Sequence, residues 1–227
     1  GSKRKRLVSI YHAESNTVSR ILVTMPEYKL MYFNTMGHGE IIRWIFAYGG
    51  IPYKDERLTR EEFDKIKSSI KGGKLPILMV DDKQLPQSLA IARFVAKKAR
   101  IVPEDDWESA LIDALADSLH EMLFDLYKLR QTIPDYNEYV GKVRDEFFPK
   151  SIAPIAQALD ERMKDRQWYT GDKLTWGDLI IGRAFAEMYN RQPEMLKKFT
   201  HLVSHMQKVC EMPAIKKWIE TRPESPF

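Results

Sequence analysis

The stretch Tyr28–Tyr48, YKLMYFNTMGHGEIIRWIFAY, predicts a strand, a turn and a helix in immediate succession. Side chains of alternating character run through residues 28–33, which is the period of a short strand. Two glycines and the lack of periodicity indicate a turn at residues 34–39. Apolar residues then recur at helical spacing. Tyr32 is therefore expected at the end of a strand, just before the positive end of a helix, where a hydroxyl can meet an anion.

The composition predicts one or two domains with a packed core. The 227 residues are 44% hydrophobic, and no apolar run approaches the length of a membrane span. Cys210 is the only cysteine, which excludes an internal disulfide and a multi-cysteine zinc site. The net charge of +4 belongs entirely to residues 1–26, because the remaining 201 residues carry 31 basic and 31 acidic side chains. We therefore expect no nucleic-acid partner.

Residues 1–26 are predicted to be an extension that precedes the folded body. Gly1-Ser2 has the form of a remnant of a cleaved tag. The basic run Lys3–Arg6 is interpreted as a solvated arm in preference to a localisation signal. The short apolar run Ile21–Val23 leaves open that part of the arm docks on the body.

Residues 27–103 predict an α/β domain in the order βαβ and then ββα. The first strand and helix are followed by a candidate strand at 53–58 and a short polar helix or irregular segment at 60–69. A strand at 74–80 has a proline near its start, where no ladder donor is needed. The pair Asp81-Asp82 predicts a hairpin turn, and Ser88 can cap a following helix.

Residues 104–227 predict an all-helical domain. Apolar residues between 111 and 126 lie on one face of a long helix, and a second helix is predicted around residues 152–163. Thr175 and Asp178 can form a reciprocal N-terminal cap, a feature that contributes about 1 kcal/mol. The last clear helix is predicted to begin at Pro213 and to end at Arg222.

Taken in order, these segments resemble the glutathione transferases, and most closely the sigma class, which includes prostaglandin D synthases. The resemblance is carried by YKLMYFN (28–34), EIIRWIFAY (40–48), GKLPIL (73–78), QSLAIARF (87–94), LTWGD (174–178) and MPAIKKWI (212–219). It implies a thioredoxin-like glutathione-binding domain at 27–103, an all-α C-terminal domain at 104–227, and a homodimer. It also implies a cis peptide bond between Leu75 and Pro76.

The resemblance assigns Tyr32 as the catalytic residue that hydrogen-bonds to the sulfur of glutathione. The thiolate is the nucleophile, and a free thiol has a pKa of about 8.5. A hydrogen bond from a neutral hydroxyl favours the charged sulfur and lowers that pKa. From the residues alone, a half-buried strand tyrosine is the favoured interpretation of Tyr32, and the resemblance reverses that preference. The other glutathione contacts that the resemblance implies are Phe63, Lys67, Lys74, Leu75, Pro76, Gln87, Ser88 and, from across the dimer, Glu121.

The chemistry of glutathione, an extended peptide with two carboxylates, agrees with several of these positions. The backbone at Leu75 can pair with the cysteine unit of glutathione in the manner of an added strand. The Ser88 hydroxyl and the free amides of a helix start form an anion site. A plain N-cap role for Ser88 is compatible with that site.

The chain departs from the family pattern at the glutathione site as well as around the second substrate. Phe63 replaces a tryptophan and cannot donate a hydrogen bond. His38 replaces an arginine, so a group that titrates near neutrality stands in place of a permanent cation. His120 interrupts an acidic magnesium cluster, and no metal is expected. The second-substrate pocket is matched by Phe33, Thr35, Gly37, His38, Lys128, Ile180 and Ala184.

The predicted function is conjugation of glutathione, as co-substrate, to small hydrophobic electrophiles or lipid substrates. Three alternatives stay open: isomerisation of prostaglandin H2 to D2, a non-catalytic ligand-binding or structural relative, and an interaction module that depends on the basic arm. The extension at 1–26 has no counterpart in typical members, and it favours an extracellular location as in secreted parasite-type members. A cytoplasmic location is the alternative.

Overall fold

The computed structural model describes residues 5–12 and 17–225 of the chain. The chain divides into two compact units. The first runs to Asn34 and resumes at Pro52–Ser88, and the second comprises Thr35–Ile51 and the residues from Leu89 onward. Each unit is built from two separate stretches of the chain, so this division does not test the domain boundary predicted at residue 103. That boundary stays a prediction.

The N-terminal extension contains a two-stranded antiparallel sheet that we did not predict from the sequence. Strand β1 (Lys5–His12) pairs with β2 (Thr17–Thr24), from Lys5 opposite Thr24 to His12 opposite Thr17. Apolar residues occupy consecutive positions in both strands, so the period-two signal of a half-buried strand is weak. The tag remnant Gly1-Ser2 and the first two basic residues lie outside the described residues.

A four-stranded mixed sheet forms the body of the first unit, in the order β4-β3-β5-β6. Its strands are β3 (Tyr28–Phe33), β4 (Lys54–Leu58), β5 (Ile77–Val80) and β6 (Lys83–Pro86). Strand β3 is parallel to β4 and antiparallel to β5, and β5 is antiparallel to β6. The predicted βαβ–ββα order and the hairpin turn at Asp81-Asp82 are confirmed. The Leu75–Pro76 bond is cis, as the resemblance implied.

Ten α-helices lie among the described residues. They are α1 (Glu40–Tyr48), α2 (Arg60–Ile66), α3 (Ser88–Ala99), α4 (Asp106–Thr132), α5 (Tyr136–Lys142), α6 (Ala153–Met163), α7 (Trp176–Arg191), α8 (Pro193–Leu196), α9 (Thr200–Cys210) and α10 (Pro213–Thr221). A π-helical segment, Val143–Ile152, joins α5 to α6 and contains Pro149. Among all the described residues, no helix is both long enough and apolar enough to cross a membrane.

Helix α7 is central to the second unit and packs against α1, α4 and α9. A Cβ atom added at Gly182 would lie 2.7 Å from Val209 Cγ1, so this glycine permits the close approach of α7 and α9. The predicted N-terminal cap of α7 is confirmed. Asp178 Oδ2 accepts a hydrogen bond from the Thr175 amide at 2.7 Å, and Oδ1 accepts one from the Tyr169 amide at 2.7 Å.

Candidate functional site

The strand register brings the predicted glutathione-binding residues of the first unit to one edge of its sheet. Met31 lies opposite Ile77, and Ile77 lies opposite Pro86. One residue further toward the same edge are Tyr32 at the end of β3, Pro76 just before β5, and Gln87 just after β6. Three segments that are distant in sequence therefore meet in one row, with Tyr32 at one end and Gln87 at the other.

Tyr32 is a buried tyrosine, with 6% of its surface exposed. Its ring centre lies 5.8 Å from that of Phe33. Phe33 in turn contacts the edge of Phe63 at 5.5 Å and lies under the guanidinium of Arg60 at 4.6 Å. The site hydroxyl is thus carried by a strand whose neighbouring aromatic ring is fixed by packing.

Phe63 belongs to the core beneath the sheet edge and is only 4% exposed. It packs in a cluster with Met31, Leu58, Ile70 and Ile77. The half-buried Phe33 and Leu75 lie against the same cluster. Phe63 therefore packs under the strands that carry the predicted site residues. Its burial favours a packing role over direct contact with a ligand.

The polar side chains at this edge keep their hydrogen-bonding capacity. Ser88 is 7% exposed, yet neither its side chain nor that of Gln87 is bonded to another residue in the described part of the chain. Gln87 has a φ angle of 76°, which is uncommon for a residue other than glycine. Lys67 and Lys74 are exposed, without a described ion-pair partner. Strained backbone and unused polar groups are features that concentrate at binding sites.

In the second unit, the loop at residues 35–39 is held by contacts that the sequence did not reveal. The Arg43 guanidinium donates to the Thr35 carbonyl oxygen at 2.8 Å, and the Arg183 guanidinium donates to the Gly37 carbonyl oxygen at 3.0 Å. The rings of His38 and His120 lie 4.6 Å apart. Hydrogen bonds from two arginines and a tilted contact between two imidazole rings therefore hold the loop that follows the tyrosine strand.

His38 is a neutral imidazole at physiological pH. Burial, together with the nearby charges of His120 and Arg183, lowers the pKa of His38 from 6.5 to about 4. The expectation that His38 titrates near neutrality is therefore wrong, because the sequence gives no sign that the ring is partly buried.

The other predicted site residues of the second unit differ in how far they are buried. Ile180 and Ala184 are each 2% exposed, so they lie on the buried face of α7. Lys128 is exposed and its ammonium lies 4.2 Å from the centre of the Phe124 ring. Glu121 is exposed on α4. Among the described residues, no group of three or more potential ligands is arranged to hold a metal ion.

The sequence contains no sign of the buried role of Glu40, the first residue of α1. Its Oε1 accepts hydrogen bonds from Trp218 at 2.9 Å and Arg222 at 2.8 Å, and its Oε2 accepts one from Arg43 at 3.2 Å. Burial alone would raise the pKa of Glu40, but the bonds from Trp218 and Arg222 and the charge of Arg43 lower it. Since Glu40 and Trp218 are 178 residues apart, no local pattern indicates this contact.

The family model for the glutathione S-transferase N-terminal domain matches residues 28–97, and that for the C-terminal domain matches residues 117–222. Hematopoietic prostaglandin D synthase from Gallus gallus is 34% identical over 201 residues, covering 88% of this chain and 99% of the chicken protein. Probable glutathione S-transferase 5 from Caenorhabditis elegans is 36% identical over 208 residues, covering 89% and 100%. A monomeric glutathione S-transferase from the hookworm Necator americanus has a TM-score of 0.81 at 35% identity, covering 88% of this chain and 100% of its own. These likenesses confirm the fold predicted from the sequence.

Proposed function

Because the chain belongs to the glutathione S-transferase family, we propose that it activates the thiol of glutathione at Tyr32 and adds the thiolate to small hydrophobic electrophiles. Glutathione is the co-substrate of this family of enzymes. The observation that carries the proposal is the row of Tyr32, Pro76 and Gln87 at one sheet edge, beside a buried Ser88 whose hydroxyl has no described protein partner.

The chemistry assigned to Tyr32 is hydrogen-bond donation from a hydroxyl that keeps its proton. Glutathione loses its thiol proton to solvent, and the Tyr32 O–H donates to the resulting thiolate. This bond favours the charged sulfur and lowers the thiol pKa. The thiolate then attacks the electrophilic carbon, a C–S bond forms, and the leaving group departs with the electron pair of its bond to that carbon.

The remaining groups of the first unit suit the two ends of glutathione. Ser88 and Gln87 are assigned to the γ-glutamyl carboxylate, because Ser88 opens α3 and the first amides of a helix favour an anion. Leu75 lies two residues before Ile77, the first residue of β5 that pairs with β3. The backbone of Leu75 can therefore pair with the cysteine unit of glutathione. Lys67 and Lys74 supply positive charge for the glycyl carboxylate.

The test is conjugation of glutathione to an aryl halide across a range of pH, for the wild type and Tyr32→Phe. A hydrogen bond to a charged group is worth about 1.5–3 kcal/mol, so we expect kcat to fall by roughly 10- to 100-fold below the pKa of the free thiol. The difference should narrow above about pH 8.5, where the thiol ionises unaided. Tyr28→Phe removes a hydroxyl from the opposite end of the same strand and should keep the wild-type rate.

Equal rates for the wild type and Tyr32→Phe at every pH would contradict the role of Tyr32. Wild-type protein that binds glutathione but does not turn over the aryl halide would contradict conjugation of this substrate class. A fall of the same size in Tyr28→Phe would show that the loss arises from disturbance of the strand.

A second candidate function is the isomerisation of prostaglandin H2 to D2 with glutathione as the activator. It is favoured by the likeness to a hematopoietic prostaglandin D synthase over most of both chains. Incubating the protein with prostaglandin H2, with and without glutathione, tests it by measuring the D2 product. Product formation at the same rate without glutathione or with Tyr32→Phe would contradict a shared thiolate mechanism.

Two further properties belong to the proposal. We assign a homodimer in which the exposed Glu121 reaches the γ-glutamyl amine of glutathione bound by the second copy. Light scattering should give twice the chain mass, and Glu121→Gln should raise the KM for glutathione without changing that mass. An extracellular location is also assigned, and detection of the protein only in cell extracts and not in the medium would contradict it.

A further inference from the structure

The carboxylate of Glu40 is the point at which α10 contacts the first turn of α1. Trp218 in α10 and Arg222 at its C-terminal cap donate to Glu40 Oε1 at 2.9 and 2.8 Å. The indole N–H of Trp44 donates to the same oxygen at 3.3 Å. Three donors therefore converge on one oxygen of a side chain that is only 1% exposed. Together they fix the orientation of the whole carboxylate.

The second oxygen of this carboxylate binds the arginine that holds the neighbouring loop. Glu40 Oε2 accepts a hydrogen bond from Arg43 Nη1 at 3.2 Å. The same nitrogen donates to the Thr35 carbonyl oxygen at 2.8 Å. A guanidinium nitrogen of this kind carries two hydrogens, so one can point to each acceptor. Arg43 is fully buried, where a charge requires an opposite charge nearby, so Glu40 both balances and orients the group that binds Thr35.

The loop at residues 35–39 is attached to helices of the second unit in two different ways. The Gly37 carbonyl oxygen accepts a hydrogen bond directly from Arg183 on α7, at 3.0 Å. The Thr35 carbonyl oxygen is bound by Arg43, whose carboxylate partner is in turn held by α10. The start of the loop is therefore connected to α10 through two buried side chains.

From these contacts, we propose that Glu40 is a positioning residue that transmits the docking of α10 to the loop at residues 35–39, where the resemblance places part of the second-substrate pocket. The inference rests on the proposed function, because the second substrate is the electrophile of that reaction. When Trp218 and Arg222 bind Glu40, the Arg43 nitrogen is directed to the Thr35 carbonyl oxygen. Loss of the α10 donors lets the carboxylate turn, and the start of the loop then loses its fixed attachment.

The kinetic test varies the aryl halide at saturating glutathione, and then varies glutathione at saturating aryl halide. Trp218→Phe removes the indole donor and keeps an aromatic ring, whereas Arg222→Leu removes the guanidinium. Because a displaced loop changes how the electrophile is held, we expect each substitution to raise the KM for the aryl halide by about threefold or more. The kcat and the KM for glutathione should stay within about twofold of the wild type.

Two further variants separate the contact with Glu40 from general changes in α10. Lys217→Leu removes a positive charge from an exposed position of the same helix, and it should keep both KM values. Arg222→Lys retains a charged donor for the carboxylate. Its KM for the aryl halide should therefore lie closer to the wild type than that of Arg222→Leu.

A second readout, amide hydrogen exchange of residues 36–43, reports on the loop without any turnover. The Glu40 amide donates to the Met36 carbonyl oxygen at 2.9 Å, and the Arg43 amide donates to the Gly39 carbonyl oxygen at 3.2 Å. Local opening of the loop exposes these amides, so in Trp218→Phe and Arg222→Leu we expect their exchange to accelerate by about fivefold or more. Exchange in α7 and α9 should stay as in the wild type, since their contacts with each other do not involve the loop.

Three outcomes would overturn the positioning role of Glu40. The KM for the aryl halide is unchanged in both α10 variants, the KM values for both substrates rise equally, or exchange of residues 36–43 accelerates only together with that of α7 and α9. The last two would show a general loss of structure. A chain that shows the expected local exchange but does not conjugate glutathione would contradict only the proposed function.

Discussion

Polar side chains are partnered differently at the sheet edge of the first unit and in the helical second unit. Gln87 and Ser88 at the sheet edge have no described protein partner for their side chains. Asp178 and Glu40 in the second unit are almost fully buried and receive several hydrogen bonds each. Unused capacity near the surface favours a ligand, whereas saturated buried groups hold the fold together. Substitutions in the two regions should therefore change different quantities.

The largest effect is expected for Asp178→Ala. This change removes the acceptor of the Thr175 and Tyr169 amides and leaves His205, whose Nε2 lies 2.9 Å from Asp178 Oδ1, without its buried partner. Each buried donor left without a partner costs about 1–3 kcal/mol, so with the two amides and His205 we expect a total loss of about 3–5 kcal/mol in the free energy of unfolding by urea. The affinity of the remaining folded protein for glutathione should not change. Asp172→Ala, at an exposed position, is the control. Equal stability of the two variants would contradict the claim that the buried polar groups of the second unit stabilise the fold.

Ser88→Ala should do the reverse. Loss of a hydrogen bond to a carboxylate costs about 1.5–3 kcal/mol, so the KM for glutathione should rise by roughly 10-fold or more. The free energy of unfolding should change by no more than about 1 kcal/mol, because the Ser88 hydroxyl makes no hydrogen bond to another described residue. Ser69→Ala is matched in the same unit, since the Ser69 hydroxyl donates only to the Ile66 carbonyl oxygen. A variant that loses stability but keeps its KM would place Ser88 with the saturated groups.

His38 extends the comparison to pH. Its pKa is about 4 in the folded chain and 6.5 ordinarily, so between these values the unfolded chain binds the extra proton and the folded chain does not. Because of His38, the free energy of unfolding should therefore decrease as the pH falls from 6.5 toward 4. Allowing for solvent screening of the partly exposed ring, we expect a decline of about 1–2 kcal/mol. Denaturant titrations at several pH values measure it.

The variant His38→Phe should remove this part of the pH dependence while retaining a ring against His120. The exposed His201→Gln is the control and should leave the profile as in the wild type. A profile that is identical in His38→Phe and the wild type would show that other groups cause the acid sensitivity.

The smallest effects are expected for the exposed lysines of the first unit. Lys67→Gln and Lys74→Gln should each raise the KM for glutathione by about two- to fivefold, because an exposed charge contributes about 0.2–1 kcal/mol. The increase should shrink at high salt, which screens surface charges. Lys71→Gln, in the same exposed segment, should have no effect. Equal increases in all three variants would indicate a general charge effect.

Local signals in the sequence were sufficient for much of the fold. Thr175 and Asp178 are three residues apart, and their reciprocal cap follows from spacing and residue type alone. The strands at Tyr28 and Ile77 and the turn between β5 and β6 likewise follow from alternation and turn residues. The cis bond at Pro76 was predicted only through the resemblance.

Other features depend on context that a single sequence does not carry. Helices α5 and α9 and the π-helical segment around Pro149 were missed, because their apolar patterns are short or interrupted by proline. The burial of Ile180 and Ala184 is decided by which face of α7 meets its neighbours. The contacts of Glu40 join positions far apart in the chain. For the site, the resemblance named the residues, and the register then brought Tyr32, Pro76 and Gln87 to one edge.

The most direct test of the central claim is the ionisation of glutathione bound to the protein, followed by the ultraviolet absorbance of the thiolate across pH. With wild-type protein, we expect the thiol pKa to lie about 1–2 units below the free value of about 8.5. Tyr28→Phe should give the same result, whereas in Tyr32→Phe the pKa should return close to the free value. A bound thiol that titrates like free glutathione in the wild type, or one that keeps its lowered pKa in Tyr32→Phe, would contradict thiolate activation by Tyr32.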